Sequence, residues 1–173
     1  MRHDPAVVYV DCRKPLPLPD ASFIAVFSEH QFEHFEYSAG VSLLAECYRV
    51  LKPGGVLRIV TPDLRRFLSL FHDEPPPEGR AFRDWFLREY MPECPGAPEV
   101  FLLNGIMHLF GHQFLYDREL IGIALTQAGF VDSTFTEAGD SRHPDLVGTD
   151  ARARGPYARY NAFESLAIEA RKP

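Results

Sequence analysis

Histidine, serine and carboxylate side chains gather at a few places in this sequence. Ser28-Glu29-His30 is followed closely by Glu33 and His34. His30 and His34 stand four residues apart with Glu33 between them. On one helical turn that spacing sets two imidazoles on one face. Such a pair can ligate a metal or work as an acid and a base. A metal needs a third ligand, and the neighbouring sequence offers none, so no metal is expected. His108 and His112 repeat the spacing beside Gly111. They read either as the polar edge of a surface segment or as part of a ligand pocket. Asp11 with Cys12, and Thr61 with Asp63, are the other polar groups placed where a strand should end.

These groups need elements to position them. The stretch Leu43–Asp63 (LLAECYRVLKPGGVLRIVTPD) reads as helix, turn and strand. Leu43, Leu44, Cys47, Val50 and Leu51 line one helical face. Pro53-Gly54-Gly55 is expected to stop the helix, and Val56–Val60 to form a strand covered on both faces. A helix feeding a buried strand is half of a βαβ unit, which predicts an open α/β sheet. Ala6–Val10 and Ser22–Phe27 are further strands, with the proline-rich Lys14–Asp20 as the loop between them. Gln31–Phe35 begins a turn or short helix. Leu64–Phe71 is a helix, Glu74–Gly79 a surface loop and Phe82–Tyr90 a helix rich in aromatics. Residues 72–113 read as an insertion over the sheet of a single domain, 1–173, because the insertion is too short for its own core. Asp117 caps a helix running to Ala128, Phe130–Phe135 is a strand, 138–158 is a loop, and Ala162–Ala170 is the last strand. In an open α/β sheet ligands bind at the carboxyl ends of the strands. Asp11, Ser28-Glu29-His30 and Thr61-Asp63 would face one crevice there, or would merely cap strands and helices.

Bulk composition narrows the partners. A net charge of −6 without blocks of like charge argues against nucleic acid or an anionic membrane surface as the main partner. No apolar run approaches the length of a membrane span. The opening residues lack the apolar core of a signal peptide, and Cys12, Cys47 and Cys94 are odd in number and far apart. Those features point to a cytoplasmic protein without a disulfide framework.

Three blocks in order, Leu16–Phe23 (LPLPDASF), Val26–His34 (VFSEHQFEH) and Glu46–Gly55 (ECYRVLKPGG), together resemble class I S-adenosylmethionine-dependent methyltransferases. The likeness is strongest to the small-molecule type, methyltransferase domain 11. Gly111-His112-Gln113, Tyr116-Asp117 and Ala128-Gly129-Phe130 are similar more loosely. The resemblance implies a Rossmann-like sheet, S-adenosyl-L-methionine as cofactor, and a small-molecule or glycan-precursor acceptor. It makes Val7–Val10 the third family strand, with Asp11 and Cys12 bordering the adenine. Phe23–Phe27 becomes the fourth, with Ser28, Glu29 and His30 beside the methionine end. The turn at Pro53–Gly55 leads to the fifth strand, and 130–135 with 162–170 form the closing antiparallel pair. His30 and His112 are the catalytic candidates. Relatives begin with a strand, a G-x-G-x-G turn, a helix and a second strand ending in an acid, and no such turn precedes Asp11. The expectation is therefore an N-terminally truncated sheet with a helical insertion after the fifth family strand. Strand 7–10 should pair abnormally or with another chain, and the open edge could support a homo-oligomer. The rival to an enzyme is a non-catalytic remnant that serves as a binding or oligomerisation module.

Overall fold

The computed structural model describes residues 8–173. Four strands form one open sheet: β1 (Phe23–Glu29), β2 (Leu51–Pro62), β3 (Val131–Thr136) and β4 (Ser165–Arg171). Their order is β1-β2-β4-β3. β1 and β2 are parallel, and β4 runs antiparallel to both β2 and β3. The carboxyl ends of β1 and β2 therefore lie together, with Glu29 opposite Val60. Among the described residues no strand pairs with the outer edge of β1.

Helix α1 (Tyr37–Val50) joins β1 to β2. Its apolar stripe packs Leu43, Leu44 and Cys47 against Leu57 and Ile59 of β2 and against Ile121 and Leu125 of α5 (Arg118–Gln127). Asp117 caps α5 as expected, accepting the Leu120 N–H at 2.9 Å. A second apolar core joins α2 (Leu64–Leu68), α3 (Pro77–Tyr90), α4 (Pro98–His108) and α6 (Ala158–Glu164). Phe67, Phe82, Phe86, Ile106 and Phe163 fill it. Segment 72–113 thus closes a core shared with α2 and α6.

Several elements differ from the sequence expectation. Residues 8–10 form no strand, and Val8 and Tyr9 are 74% and 94% exposed. Ala6 and Val7, the other part of that expected strand, lie outside the described residues. Without a neighbour among the described residues to supply hydrogen bonds, β-branched content alone does not make a strand. Pro53-Gly54-Gly55 does not stop α1. The helix has already ended at Leu51, whose backbone is extended, and Lys172 Nζ donates to the last carbonyls at Tyr48 and Leu51. The glycines instead build a bulge inside β2. Opposite Phe23 and Ala25 of β1 stand Leu51 and Val56, so the β2 strand carries extra residues there. Gly54 takes φ +78°, and a Cβ on Gly55 would meet the Ile24 carbonyl of β1 at 3.1 Å. His30 and His34 do not share a helical turn. His30 adopts φ +48° before a short 3₁₀ turn, Phe32–His34. Ala162–Glu164 end α6, so the last strand starts at Ser165. Phe163 is buried at helical spacing from Tyr160, and that shared burial holds the segment helical. The Glu74–Gly79 loop is interrupted by the start of α3 at Pro77, where a first-turn proline loses no hydrogen bond. Residues 98–108, to which the sequence pattern assigned no element, form α4 by the same device at Pro98.

The other face of the sheet is closed by charge. Arg58 of β2 is fully buried. Its guanidinium binds both oxygens of Asp150 at 2.9 and 2.5 Å, Glu169 of β4 at 2.9 Å and Thr136 of β3 at 2.8 Å. Asp150 also accepts the Gly139 N–H. One side chain thereby pins loop 138–153 onto three strands. Burial pushes the Asp150 carboxyl upward, but Arg58 and the Gly139 N–H outweigh it and hold the carboxyl below its ordinary value. Removing one member of such a network leaves buried charges unpaired, at about 3–5 kcal/mol. Arg58→Leu is expected to lose that much stability in urea unfolding, and an unchanged midpoint would refute the assignment. The Asp150 contribution should be complete above its ordinary pKa of 3.8 and disappear as pH falls through the lower folded value. Acid titration of stability in the wild type and in Asp150→Asn measures it, and parallel acid limbs would overturn it.

Candidate active site

A cavity of about 350 Å³ opens at the carboxyl ends of β1 and β2, lined by His30, Glu33, His34, His112, Arg152 and Glu164 among others. The backbone brings these together in a traceable way. At the end of β1, His30 turns the chain through its left-handed φ while its N–H stays bonded to the Val60 carbonyl at 2.8 Å. Histidine is among the few non-glycine residues enriched in that region. The following 3₁₀ turn aims Glu33 inward. The Glu33 carbonyl accepts the N–H groups of Gln113 and Phe114 at 2.7 and 3.1 Å, which fixes the segment carrying His112.

Glu33 is the centre of this arrangement. It is 0% exposed. Thr61 Oγ1 donates to its Oε2 at 2.9 Å. His30 Nδ1 lies 3.3 Å and His112 Nε2 4.0 Å from its Oε1. The rings of His34 and His112 meet edge to face at 4.9 Å. Burial raises the Glu33 carboxyl, yet the His30 contact and Thr61 together bring it below its ordinary value, so it is held as an anion. Burial lowers His112, with the Glu33 charge opposing. Glu164 on the far wall is pushed up by burial despite Arg152 at 3.2 Å. Two carboxyl groups in one cavity are thus driven in opposite directions.

His30 has a polar neighbour at each ring nitrogen, Glu33 beside Nδ1 and Ser165 Oγ 3.2 Å from Nε2, and Ser165 in turn donates to Asn161 Oδ1. The order Ser165, His30, Glu33 imitates a nucleophile–histidine–carboxylate triad. Ser165 is 3% exposed and its proton is committed to Asn161, so the chain orients His30 and supplies no nucleophile.

The other expected site residues fall nearby with differing freedom. Ser28 is buried and its hydroxyl has no hydrogen-bond partner among the described residues. Both oxygens of Glu29 accept backbone N–H groups, from Ala151 and Arg152, so Glu29 fastens the 144–153 loop across the end of β1. Asp11 accepts from the Arg13 backbone and guanidinium, and Lys14 lies at 3.7 Å. The Arg13 hydrogen bond lowers its carboxyl. Cys12 Sγ accepts from Gln31 Nε2 at 3.5 Å, which places the 11–13 turn beside the His30–His34 segment. Asp63 caps α2 through the Arg65 N–H. The structure therefore brings His30 and His112 together around Glu33, a residue that the sequence marks only by its place between two histidines. Thr61, Ser165, Arg152 and Glu164 also join from distant elements.

The family model for the methyltransferase domain matches residues 2–59. A curated "probable S-adenosylmethionine-dependent methyltransferase" of Mycolicibacterium smegmatis is 46% identical over 48 residues, 28% of this chain and 18% of that protein. The solved structure of a methyltransferase from Archaeoglobus fulgidus superposes with TM-score 0.56 at 18% identity, covering 95% of this chain and 66% of that one. One from Thermotoga maritima gives TM-score 0.52 at 18% identity, covering 94% and 61%. This chain thus spans less than two thirds of each of these proteins. Across its length the chain shares the fold of these solved methyltransferases, and residues 2–59 match the methyltransferase domain model.

Proposed function

We propose that the crevice at the ends of β1 and β2 serves methyl transfer from S-adenosylmethionine to a small-molecule acceptor or glycan precursor. The observation that supports this most is the convergence of His30, Glu33 and His112 on one cavity at the strand ends, where this fold class takes its ligands. When bound, the cofactor supplies a methyl carbon already activated on a sulfonium. Ser28, with its unpartnered hydroxyl, and the Cys12 turn would hold it at the end of β1. Asp11 and Glu29 reach the same region with their carboxylates already neutralised or bonded. Glu33 supplies a fixed negative charge that favours a cationic ligand nearby. His30, braced by Glu33 and Ser165, sets the wall against which the ligand is aligned. His112 would border the acceptor from the cavity wall that it lines. Alignment and exclusion of water then carry most of the rate.

A second reading has its own support. Phe23 and Ile24 are 38% and 56% exposed on the unpaired edge of β1, as a binding or oligomerisation module would require. Calorimetric titration with S-adenosylmethionine and its demethylated product separates the two. The enzyme reading expects micromolar binding. Silence at millimolar ligand from a folded chain, together with a dimer in sedimentation, would favour the module. Ser28→Ala sharpens the test. Deleting an unpartnered hydroxyl should leave unfolding stability unchanged or higher, while cofactor affinity falls roughly fivefold, the worth of one hydrogen bond of about 1 kcal/mol. Equal affinity would remove Ser28 from the cofactor site.

A further inference from the structure

We propose that Glu33, His34 and His112 form a binding site for one divalent transition-metal ion. One carboxylate oxygen and one nitrogen from each imidazole all lie within 4.8 Å of one another. Ions of the zinc type hold such atoms at about 2.0–2.2 Å, which sets tetrahedral ligands roughly 3.4 Å apart. Loading therefore draws the three side chains inward by about an ångström.

An independent observation points the same way. The Glu33 side chain is completely buried, and its Oε1 accepts no hydrogen bond of acceptable geometry from the described residues. His112, 7% exposed at its side chain, likewise leaves Nδ1 unpartnered. A carboxylate withdrawn from water with a free lone pair needs positive charge close by. His34 comes to the group from the exposed side, and the cavity opens beyond it. Three protein ligands with an open position facing a cavity is the layout of a reactive metal site, whereas structural sites are closed by a fourth side chain. Two imidazoles and one carboxylate suit zinc, cobalt or nickel better than magnesium or calcium. His30 supplies the outer support, touching Glu33 with one nitrogen and Ser165 with the other. His112 completes the set begun by the adjacent Glu33 and His34, carried in on the segment bonded to the Glu33 carbonyl. The existence of the site is independent of methyl transfer. Its role there, polarising the acceptor oxygen as a Lewis acid, rests on the reading above.

The test is a titration of cobalt(II) into the metal-free 173-residue chain, followed by visible absorption and by zinc competition, without S-adenosylmethionine. One equivalent should raise a low-coordinate d–d band that zinc abolishes. His34→Ala and His112→Ala should lose the band while circular dichroism stays native. His30→Gln should weaken affinity about 10- to 100-fold as an outer-shell change. Glu33→Gln tests the carboxylate, and if it unfolds the chain, the exposed His34→Ala decides alone. Absence of the band, or equal affinity in His34→Ala and His112→Ala, overturns the site. Equal affinity would assign the cobalt elsewhere, to the free thiols of Cys12, Cys47 and Cys94 first. Cofactor titration of the same metal-free chain is scored separately, so either reading can fail without the other.

Discussion

A carboxylate removed from water is the constraint around which this site is built. Glu33 has no exposed surface, and an isolated charge in that position would simply neutralise. It remains an anion because Thr61 donates to one oxygen and His30 approaches the other. Those partners come from the end of β2 and the end of β1, so the anion survives only while the two strands keep their parallel register. The same residue uses its backbone carbonyl to bind Gln113 and Phe114, which sets the position of His112. One residue thus couples the sheet, the turn after β1 and the segment entering α5. A change of its side chain would release Thr61 and His30 together, while the carbonyl would still hold residues 113 and 114.

The register itself rests on less conspicuous chemistry. Gly54 and Gly55 absorb the extra residues of β2 in a bulge, and Gly55 lets the β1 backbone pass where a side chain would collide with Ile24. Lys172 closes the end of α1 and exchanges backbone hydrogen bonds with Gly54 and Gly55, so the last residues of the chain lock the same corner. On the opposite face Arg58 gathers Asp150 and Glu169. Loop 138–153 is then held twice, by Arg58 beneath the sheet and by Glu29 at the end of β1, whose carboxylate receives two backbone N–H groups. Arg152 is delivered by that loop to the wall of the cavity.

What could be read from the sequence was whatever depends on local periodicity. The α1 stripe of Leu43, Leu44, Cys47 and Val50, the apolar run of β2 and the Asp117 cap are all short-range patterns, and each is present. Val8–Val10 shows the limit of such reasoning, since strand composition cannot create a neighbour to pair with. The proline–glycine segment shows another limit. Pro53-Gly54-Gly55 has the composition of a stop, but helix termination and a strand bulge draw on the same positive φ. The site was legible only in part. His30 was marked by its position after a strand, and His112 by its spacing from His108. Their meeting at Glu33 depends on a hydrogen bond from residue 113 to residue 33, a contact that no local pattern encodes.

The two carboxyl groups of the cavity carry the argument furthest. Glu33 and Glu164 line the same space, yet Glu33 is lowered against its burial by His30 and Thr61, while Glu164 is desolvated and raised. Environments that push two acids apart divide their labour, one serving as fixed charge and the other as a group that can hold a proton. The fixed charge lies on the side of His34 and His112 and favours a cation there. The protonatable group lies on the side of Arg152, Tyr90 and Asn161, where a second cavity of about 220 Å³ shares Tyr90, Arg152 and Glu164 with the first. A ligand spanning both would meet negative charge at one end and hydrogen-bond donors with aromatic surface at the other. For such a ligand that polarity would favour one orientation, because reversal would set its charged end against groups of the wrong kind.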